Sequence, residues 1–143
     1  MRIDGLWFLC SDGILRPVIR GEILASDHSW VKVVFLVDSG ADRSVMSADK
    51  LDALSLQTIE SPDRLTGVGG SADSVVVATQ IRFDHENGKA VFSGQFAAFT
   101  SPESLDMSVL GRDILNMFSL IVDRQGDTIC LLGQPHFYSI DRR

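Results

Sequence analysis

The segment FLVDSGADRSVMS, residues 35–47, places a carboxylate where a folded chain has to compensate for it. The apolar residues that end at Val37 indicate a buried strand, and Asp38, Ser39 and Gly40 follow directly. Removing a carboxylate from water costs several kcal/mol unless a partner charge or hydrogen bonds compensate. Taken alone, D-S-G favours an aspartate that ends a strand and caps the next turn. The alternative is a carboxylate with a chemical task, and other parts of the sequence decide between the two.

Two further sets of residues suggest chemistry but lack its context. The three histidines show no metal-ligand spacing, and no G-x-S-x-G nucleophile motif accompanies them, which favours surface positions for His28, His85 and His136. The stretch from Gly67 to Ala72 formally matches the dinucleotide fingerprint G-x-G-x-x-A. That fingerprint has to open a helix, whereas a strand pattern begins near Val75. We therefore interpret it as the glycine-rich tip of a hairpin, where the backbone can approach a ligand closely.

Strands with a period-two pattern have to position these residues. The pattern predicts strands at 14–25, 30–37, 75–83, 90–99, 118–122 and 128–132. Asn87-Gly88 and the polar run 123–127 predict hairpin turns. Short helices are predicted from Ser47, as the N-cap, to Leu54, and over 112–117. Many short strands between turns indicate an all-β barrel or sandwich with one or two short helices.

Composition and charge narrow the class of protein. A chain of 143 residues with 45% apolar content suits one globular domain. The formal net charge of −6 argues against nucleic acid as a partner. Cys10 and Cys130 could form a disulfide, but their apolar surroundings favour buried free thiols, and the lack of CxxC argues against a metal site. No signal peptide or membrane-spanning run is visible, so we expect a cytoplasmic protein without a membrane partner.

Three motifs together resemble the retropepsin-like aspartic proteases. They correspond to the active-site loop, the flap tip and the strand that enters the C-terminal helix: Asp38-Ser39-Gly40-Ala41-Asp42, Gly67-Val68-Gly69-Gly70 and Val109-Leu110-Gly111-Arg112-Asp113. They follow the family's order, and the resemblance runs from about residue 14 to 132, leaving 133–143 as a tail. It implies one homodimeric acid-protease barrel over residues 1–143. The hairpin that follows the predicted second helix resembles cellular and transposon-type members more than viral ones.

The activity that the resemblance implies is hydrolysis of peptide bonds by an aspartic endopeptidase. The chain contains one D-S-G, so two chains would pair about a two-fold axis and bring two copies of Asp38 together. Two carboxyl groups about 3 Å apart share a proton. The ionised one would take a proton from water while the protonated one donates to the substrate carbonyl. The implied partners are a second copy and an extended peptide, with no metal or cofactor.

The resemblance also assigns supporting roles to the neighbours of Asp38. Ser39 would hydrogen-bond across the dimer axis, Gly40 would leave room for the substrate backbone, and Asp42 would accept a backbone N–H. Gly111 and Arg112 would support the loop, with a buried Asp42–Arg112 pair whose loss should be strongly destabilising. The flap tip would close over the substrate. The apolar residues expected to line pockets are Val45, Val68, Val109 and Leu110.

Two departures from the family pattern and two rival functions stay open. Arg43 stands where viral members often carry an acidic or small residue, and it could bind a carboxylate such as Asp113. The tail segment 134–138 could pack over the dimer interface or near the cleft.

One rival function is a catalytically silent retropepsin-fold module for dimerisation and peptide binding, against which the intact D-S-G-A argues. The other is an unrelated all-β protein, which requires three accidental motif matches.

Overall fold

The computed structural model of the protein describes residues 1–60, 65–67, 70–101, 107–137 and 139–141; at 65–67 and 70–72 it describes the backbone alone. Within these residues the chain forms thirteen strands and two helices. The strands are β1 (Arg2–Asp4), β2 (Leu6–Leu9), β3 (Leu15–Leu24), β4 (Trp30–Val37), β5 (Val45–Met46), β6 (Thr58–Glu60), β7 (Leu65–Gly67), β8 (Gly70–Ala72), β9 (Ser74–His85), β10 (Gly88–Phe99), β11 (Ser108–Leu110), β12 (Ser119–Asp123) and β13 (Thr128–Leu132). The helices are α1 (Ala48–Leu54) and α2 (Arg112–Leu115).

The main sheet closes into a barrel. Its hydrogen-bonded order is β3-β4-β11-β5-β10-β9, and β9 pairs back with β3, so six strands form a ring. β2 continues the sheet beyond β3, and β6 pairs with β9. Side chains of a strand point alternately to its two faces. In β4 the alternate residues Val33, Phe35 and Val37 are buried inside the barrel, and the residues between them are more exposed. The predicted all-β barrel with short helices is confirmed.

Two smaller sheets complete the fold. β1 and β12 flank β13 in a three-stranded antiparallel sheet, and β7 pairs with β8. Aromatic rings link the barrel to this region through successive centroid distances of 5.8, 6.0 and 5.9 Å along Phe35, Phe83, Phe92 and Phe118. Tilted and edge-on contacts of this kind stabilise a core beyond their buried area. The core therefore extends from the barrel toward the β1-β13-β12 sheet.

Several elements lie where the sequence pattern places them. β4 and β13 have the predicted bounds, β3 differs by one residue at each end, and α1 begins after Ser47. Ser47 occupies the N-cap position, but its hydroxyl donates to Asp49 at 2.5 Å instead of capping the backbone. Cys10 and Cys130 are free thiols, as predicted, but only Cys130 is buried, whereas Cys10 is half-buried.

Other elements differ from the prediction. α2 ends at Leu115 rather than at residue 117, and the turn between β9 and β10 is Glu86-Asn87, with Gly88 at φ +138° as the first residue of β10. β1 and β2 were not predicted, because each is short and a polar or glycine residue interrupts the apolar pattern. Ile3 in β1 is only 1% exposed, so the packed core begins well before residue 14.

The parallel pairing of β4 with β11 positions the candidate site. Val37 lies opposite Leu110, so both strands end at the same edge of the barrel. Because parallel strands run in the same direction, the residues that follow them, Asp38 and Gly111, meet there. The first and third motifs of the sequence are therefore brought together by one strand pair.

Candidate active site

Asp38 is held by backbone hydrogen bonds at the end of β4. Its N–H donates to the carbonyl of Leu110 (3.1 Å), and its own carbonyl accepts the N–H of Ala41 (3.2 Å). Its carboxylate Oδ1 accepts the N–H of Gly40 at 2.9 Å. Within the part of the chain that the structure describes, Oδ2 receives no hydrogen bond. The half-buried carboxylate is thus oriented through one oxygen while the other stays unpaired.

The first turn of α2 holds the loop of residues 38–42 from the other side. The N–H of Arg112 donates to Ala41 O at 2.9 Å, and the N–H of Asp113 donates to Asp42 O at 3.2 Å. Both donors belong to the first turn of α2, where backbone N–H groups have no partner inside the helix. The loop carbonyls provide those partners, so the loop and α2 satisfy each other's backbone groups.

The side chain of Arg112 adds two contacts to the same loop. Nη1 donates to the Ser39 carbonyl at 3.1 Å, and Nη2 contacts the Asp42 carboxylate. The pairing follows the prediction, but its burial does not, because the side chains of Arg112 and Asp42 are 44% and 82% exposed. The loop turns its polar side outward, so water screens the pair. An exposed pair contributes at most about 1 kcal/mol to the free energy of unfolding. The prediction that its loss would be strongly destabilising is therefore wrong.

A partly buried hydrogen-bond network that the sequence did not reveal connects the buried Ser44 with the exposed Asp113. Ser44 is 1% exposed, and its N–H lies 2.9 Å from both oxygens of the Asp113 carboxylate. Its hydroxyl donates to Asp113 Oδ1 at 2.7 Å and accepts the N–H of Gly111 at 3.0 Å. The Asp113 carboxylate is thus engaged by Ser44 rather than by Arg43. The signal in the sequence was weak: a small polar residue just before the apolar strand β5.

Gly111 is required by close packing. A Cβ at this position would lie 2.4 Å from both the carbonyl carbon and the oxygen of Arg43, and 2.9 Å from the Ser44 nitrogen. Its φ of −103° is an ordinary backbone angle, so packing rather than backbone strain imposes glycine. The loop backbone therefore lies directly against the start of α2.

The expected pocket residues divide into two groups. Val45 and Val109 pair across β5 and β11 and are 8% and 7% exposed. Leu110 is fully buried in the core cluster, so its assignment to a pocket is corrected. Along β11 the side chains alternate between two faces, and Leu110 points into the barrel because it lies beside Val37.

The predicted flap falls partly within the described chain. β7 and β8 form their own two-stranded antiparallel sheet, in which Gly67 lies opposite Gly70. Val68 and Gly69, which the sequence places at the tip, lie outside the described residues. The backbone pairing agrees with the hairpin that was predicted from the glycine pattern.

Comparisons with known proteins identify the class to which this site belongs. The sequence profile described as aspartyl protease matches residues 25–114, a span that includes Asp38 and the start of α2. The chain belongs to the aspartyl protease family. No curated protein matches the sequence.

Solved structures place the fold among the retropepsins. A retropepsin-like aspartic protease from Rickettsia conorii is 17% identical over 92% of this chain and 90% of its own, with a TM-score of 0.57. The EIAV protease, solved with the inhibitor HBY-793, is 23% identical over 71% of this chain and 86% of its own, with a TM-score of 0.52. A retroviral protease-like domain of Ddi1 from Leishmania major is 14% identical over 85% of this chain and 98% of its own, with a TM-score of 0.46. The first two likenesses show the retropepsin-like fold.

The described residues show neither a metal-binding cluster nor a membrane-spanning helix. No group of three or more His, Cys, Asp and Glu side chains among them is arranged to hold a metal ion. Neither described helix is long and apolar enough to cross a membrane.

Proposed function

We propose that the protein is an aspartic endopeptidase whose active unit is a homodimer, with Asp38 of each chain forming the catalytic pair. The observation that carries this is the position of Asp38 in a loop that α2 and Arg112 hold, with Oδ1 fixed by Gly40 and Oδ2 unpaired among the described residues. A carboxylate in such a loop can meet a second copy of itself if two loops face each other across a two-fold axis. Residues 1–143 would act as one protease domain.

The proposed mechanism is general acid–base hydrolysis. The two Asp38 carboxyl groups share one proton, because two like charges about 3 Å apart do not both ionise. The ionised carboxylate removes a proton from a bound water while the protonated one donates to the carbonyl oxygen of the substrate. The oxygen of that water bonds to the carbonyl carbon and forms a tetrahedral diol. When the diol collapses, the C–N bond breaks, the carboxyl that took the proton from water passes it to the leaving amine, and the other carboxylate recovers its proton from the diol hydroxyl. No covalent intermediate forms between enzyme and substrate.

The neighbouring residues would position the extended substrate. Gly40 leaves space for the peptide backbone beside the catalytic pair, and Ser39 hydrogen-bonds across the dimer axis. Ala41 and Asp42 accept N–H groups of α2 through their carbonyls and so keep the loop in place, and the Asp42 carboxylate would accept an N–H of the substrate backbone. The hairpin of β7 and β8, with its tip at 67–70, would close over the peptide in the manner of strand addition. Val45 and Val109 would line the adjoining pockets.

Cleavage of a peptide library, read by mass spectrometry from pH 4 to 7, tests this proposal. The native chain is compared with Asp38→Asn and with Asp52→Asn, which changes an exposed aspartate on α1 in the same way. We expect cleavage by the native chain and by Asp52→Asn but none by Asp38→Asn. Sedimentation at several concentrations measures the dimer in parallel.

Two outcomes would overturn the proposed function. Equal cleavage by the native chain and Asp38→Asn would assign the activity to a contaminant. A folded dimer that cuts nothing would favour the silent peptide-binding module, since that module keeps the fold without a competent pair of carboxyl groups. A cytoplasmic location stays a prediction from the sequence.

A further inference from the structure

A groove of about 1130 Å³ lies on the outer face of the barrel and does not include Asp38. Its base is formed by β3 and β4, whose outward side chains are paired in register: Arg20 lies opposite Val34, and Glu22 lies opposite Lys32. Phe8 lines it on one side and Lys50 of α1 on another. The groove thus combines apolar groups with charged groups from several elements.

The charge of the groove is opposite to that of the chain. Among the residues that the structure describes, six basic and four acidic side chains line it, although the chain as a whole carries a formal charge of −6. This excess of basic residues was not apparent from the sequence, because the basic residues are scattered along the chain and only folding brings them together.

Three of the four carboxylates in the groove are already paired with cations. The Asp12 carboxylate accepts hydrogen bonds from Arg16 Nη1 (2.9 Å) and Nη2 (2.7 Å). Glu22 forms ion pairs with Arg82 and Lys89, and Lys89 also pairs with Asp84. The fourth carboxylate, Asp49, accepts the Ser47 hydroxyl.

Three cations in the groove have no such partner among the described residues. Within the described part of the chain, no carboxylate pairs with Arg20, Lys32 or Lys50. Arg20 and Lys32 lie diagonally across β3 and β4, at a distance of roughly 7–8 Å between backbone positions. Lys32 lies opposite Glu22, but the Glu22 carboxylate is occupied by Arg82 and Lys89. Two like charges therefore stand near each other on one face, and an anion between them would relieve their repulsion.

We propose that this groove binds an acidic, extended segment of polypeptide. Along β4 the distance from Lys32 to Asp38 is about 20 Å, which is the length of an extended segment of about six residues. Val34 and Leu36 form an apolar strip on the outward face between these positions, suited to alternate apolar side chains of such a segment. A small inorganic anion would leave this strip unused.

The groove also lies close to the proposed catalytic loop. Leu36 lines it and stands two residues before Asp38. An acidic segment in the groove would therefore be part of a substrate that reaches the catalytic pair with another segment. This role as a substrate-docking site rests on the proposed function, whereas the binding of an acidic peptide does not, because the groove lies within one chain.

Fluorescence anisotropy with a labelled peptide of alternating Glu and Leu tests the proposal. The protein carries Asp38→Asn so that no probe is cut, and the same peptide with Gln in place of Glu is the control ligand. We expect the Glu peptide to bind at least about tenfold more tightly than the Gln peptide, with a difference that shrinks as salt is raised. The double variant Arg20→Gln/Lys32→Gln should weaken binding of the Glu peptide by roughly 3- to 30-fold.

A matched control removes two exposed cations outside the groove. Arg2→Gln/Arg124→Gln makes the same change in net charge, and it should alter binding less than about twofold. Circular dichroism establishes that both variants are folded. A charge-reversed variant, Arg20→Glu/Lys32→Glu, should bind a Lys–Leu peptide better than the Glu–Leu peptide.

Several results would overturn the proposal. The proposal fails if the Glu and Gln peptides bind equally tightly. It also fails if the control variant loses as much affinity for the Glu peptide as Arg20→Gln/Lys32→Gln does, or if the charge-reversed variant still prefers the Glu–Leu peptide. Tighter binding of tripolyphosphate or of single-stranded DNA, with the same dependence on Arg20 and Lys32, would assign the groove to a phosphate ligand instead. If the Glu peptide binds as expected but no library peptide is cut, the groove is an acidic-peptide site and the proposed protease function is wrong. If library peptides are cut but the Glu and Gln peptides bind equally, the protease function is supported and the proposed peptide site is wrong.

Discussion

Replacing Gly111 with alanine should disrupt both stability and the proposed active site. The added methyl group would overlap the backbone of Arg43, because the two atoms it meets there lie at 2.4 Å. Backbone atoms cannot rotate away as the end of a flexible side chain can. The loop that carries Asp38 would have to move away from α2 by about 1 Å, since ordinary contacts of a Cβ lie beyond about 3.4 Å.

The loss of folding stability follows from the contacts that this movement breaks. Crowding in a packed region typically costs about 1–3 kcal/mol. The loop would also lose hydrogen bonds to α2, the 2.9 Å bond of Arg112 N–H to Ala41 O and the 3.0 Å bond between Gly111 N–H and the Ser44 hydroxyl. Each contributes about 1 kcal/mol. We expect the free energy of unfolding to fall by about 2–5 kcal/mol in total.

Urea and thermal unfolding measure this change, with Gly94→Ala as the matched control. A Cβ at Gly94 would meet only the Phe96 ring, at 3.7 Å, so the same substitution there should be neutral or stabilise by less than about 1 kcal/mol. Gly111→Ala should lower Tm by about 10 °C or more. Proteolytic activity should fall by about 100-fold or more, since a shift of about 1 Å in a catalytic group costs that much. If the two alanine variants unfold alike, the reasoning about close packing at Gly111 is refuted.

Three further predictions concern the surroundings of the site and the barrel surface. Ser44→Ala should lower the free energy of unfolding by about 2 kcal/mol in urea titrations, because the buried N–H of Gly111 loses its acceptor and the exposed Asp113 carboxylate loses one donor; a loss below about 0.5 kcal/mol would contradict this. Arg112→Lys should lower it by less than about 1 kcal/mol, since its ion pair is exposed, and a loss above about 2 kcal/mol would show that the pair acts as a buried one. Hydrogen bonding from Arg82 holds the pKa of Glu22 below its usual 4.5, so this carboxylate stabilises the fold above about pH 4.5 and loses that effect as pH falls through its lowered pKa. Unfolding measured at pH 5 and pH 3 should therefore show a smaller acid-induced loss for Glu22→Gln than for the native chain, and equal losses would exclude the linkage.

The sequence was informative where local pattern decides structure. β4 was predicted to the residue because it is a nearly continuous run of β-branched and aromatic residues that ends at Asp38, and α1 because Ser47 marks its start. The loop motif at Asp38 and the strand motif at Gly111 were both recognised as parts of one site. Their meeting in space required the family resemblance, since nothing in the spacing of two short motifs states that their strands are parallel neighbours.

Contacts between distant segments were the part that could not be predicted. β1 pairs with β13, so Arg2 lies opposite Leu132, and no pattern in either segment indicates that the two strands are partners. The Ser44–Asp113 network depends on a serine and an aspartate that only the strand crossing brings within hydrogen-bonding distance. The exposure of the Asp42–Arg112 pair depends on the direction in which the loop turns its side chains. The groove cations likewise come from separate elements.

The distance in sequence between the active-site loop and its supports has a consequence for the order of folding. Ser44 and Asp113 are 69 residues apart, and Ser39 and Arg112 are 73 apart. Contacts of such long range form slowly, because closing the intervening chain costs entropy before the contacts compensate. A nascent chain that already contains Asp38, Ser39 and Gly40 therefore lacks an ordered loop at residues 38–42 until α2 has been synthesised and has docked. The proposed peptidase activity should appear only in the last phase of refolding, and fragments that end before Arg112 should have none.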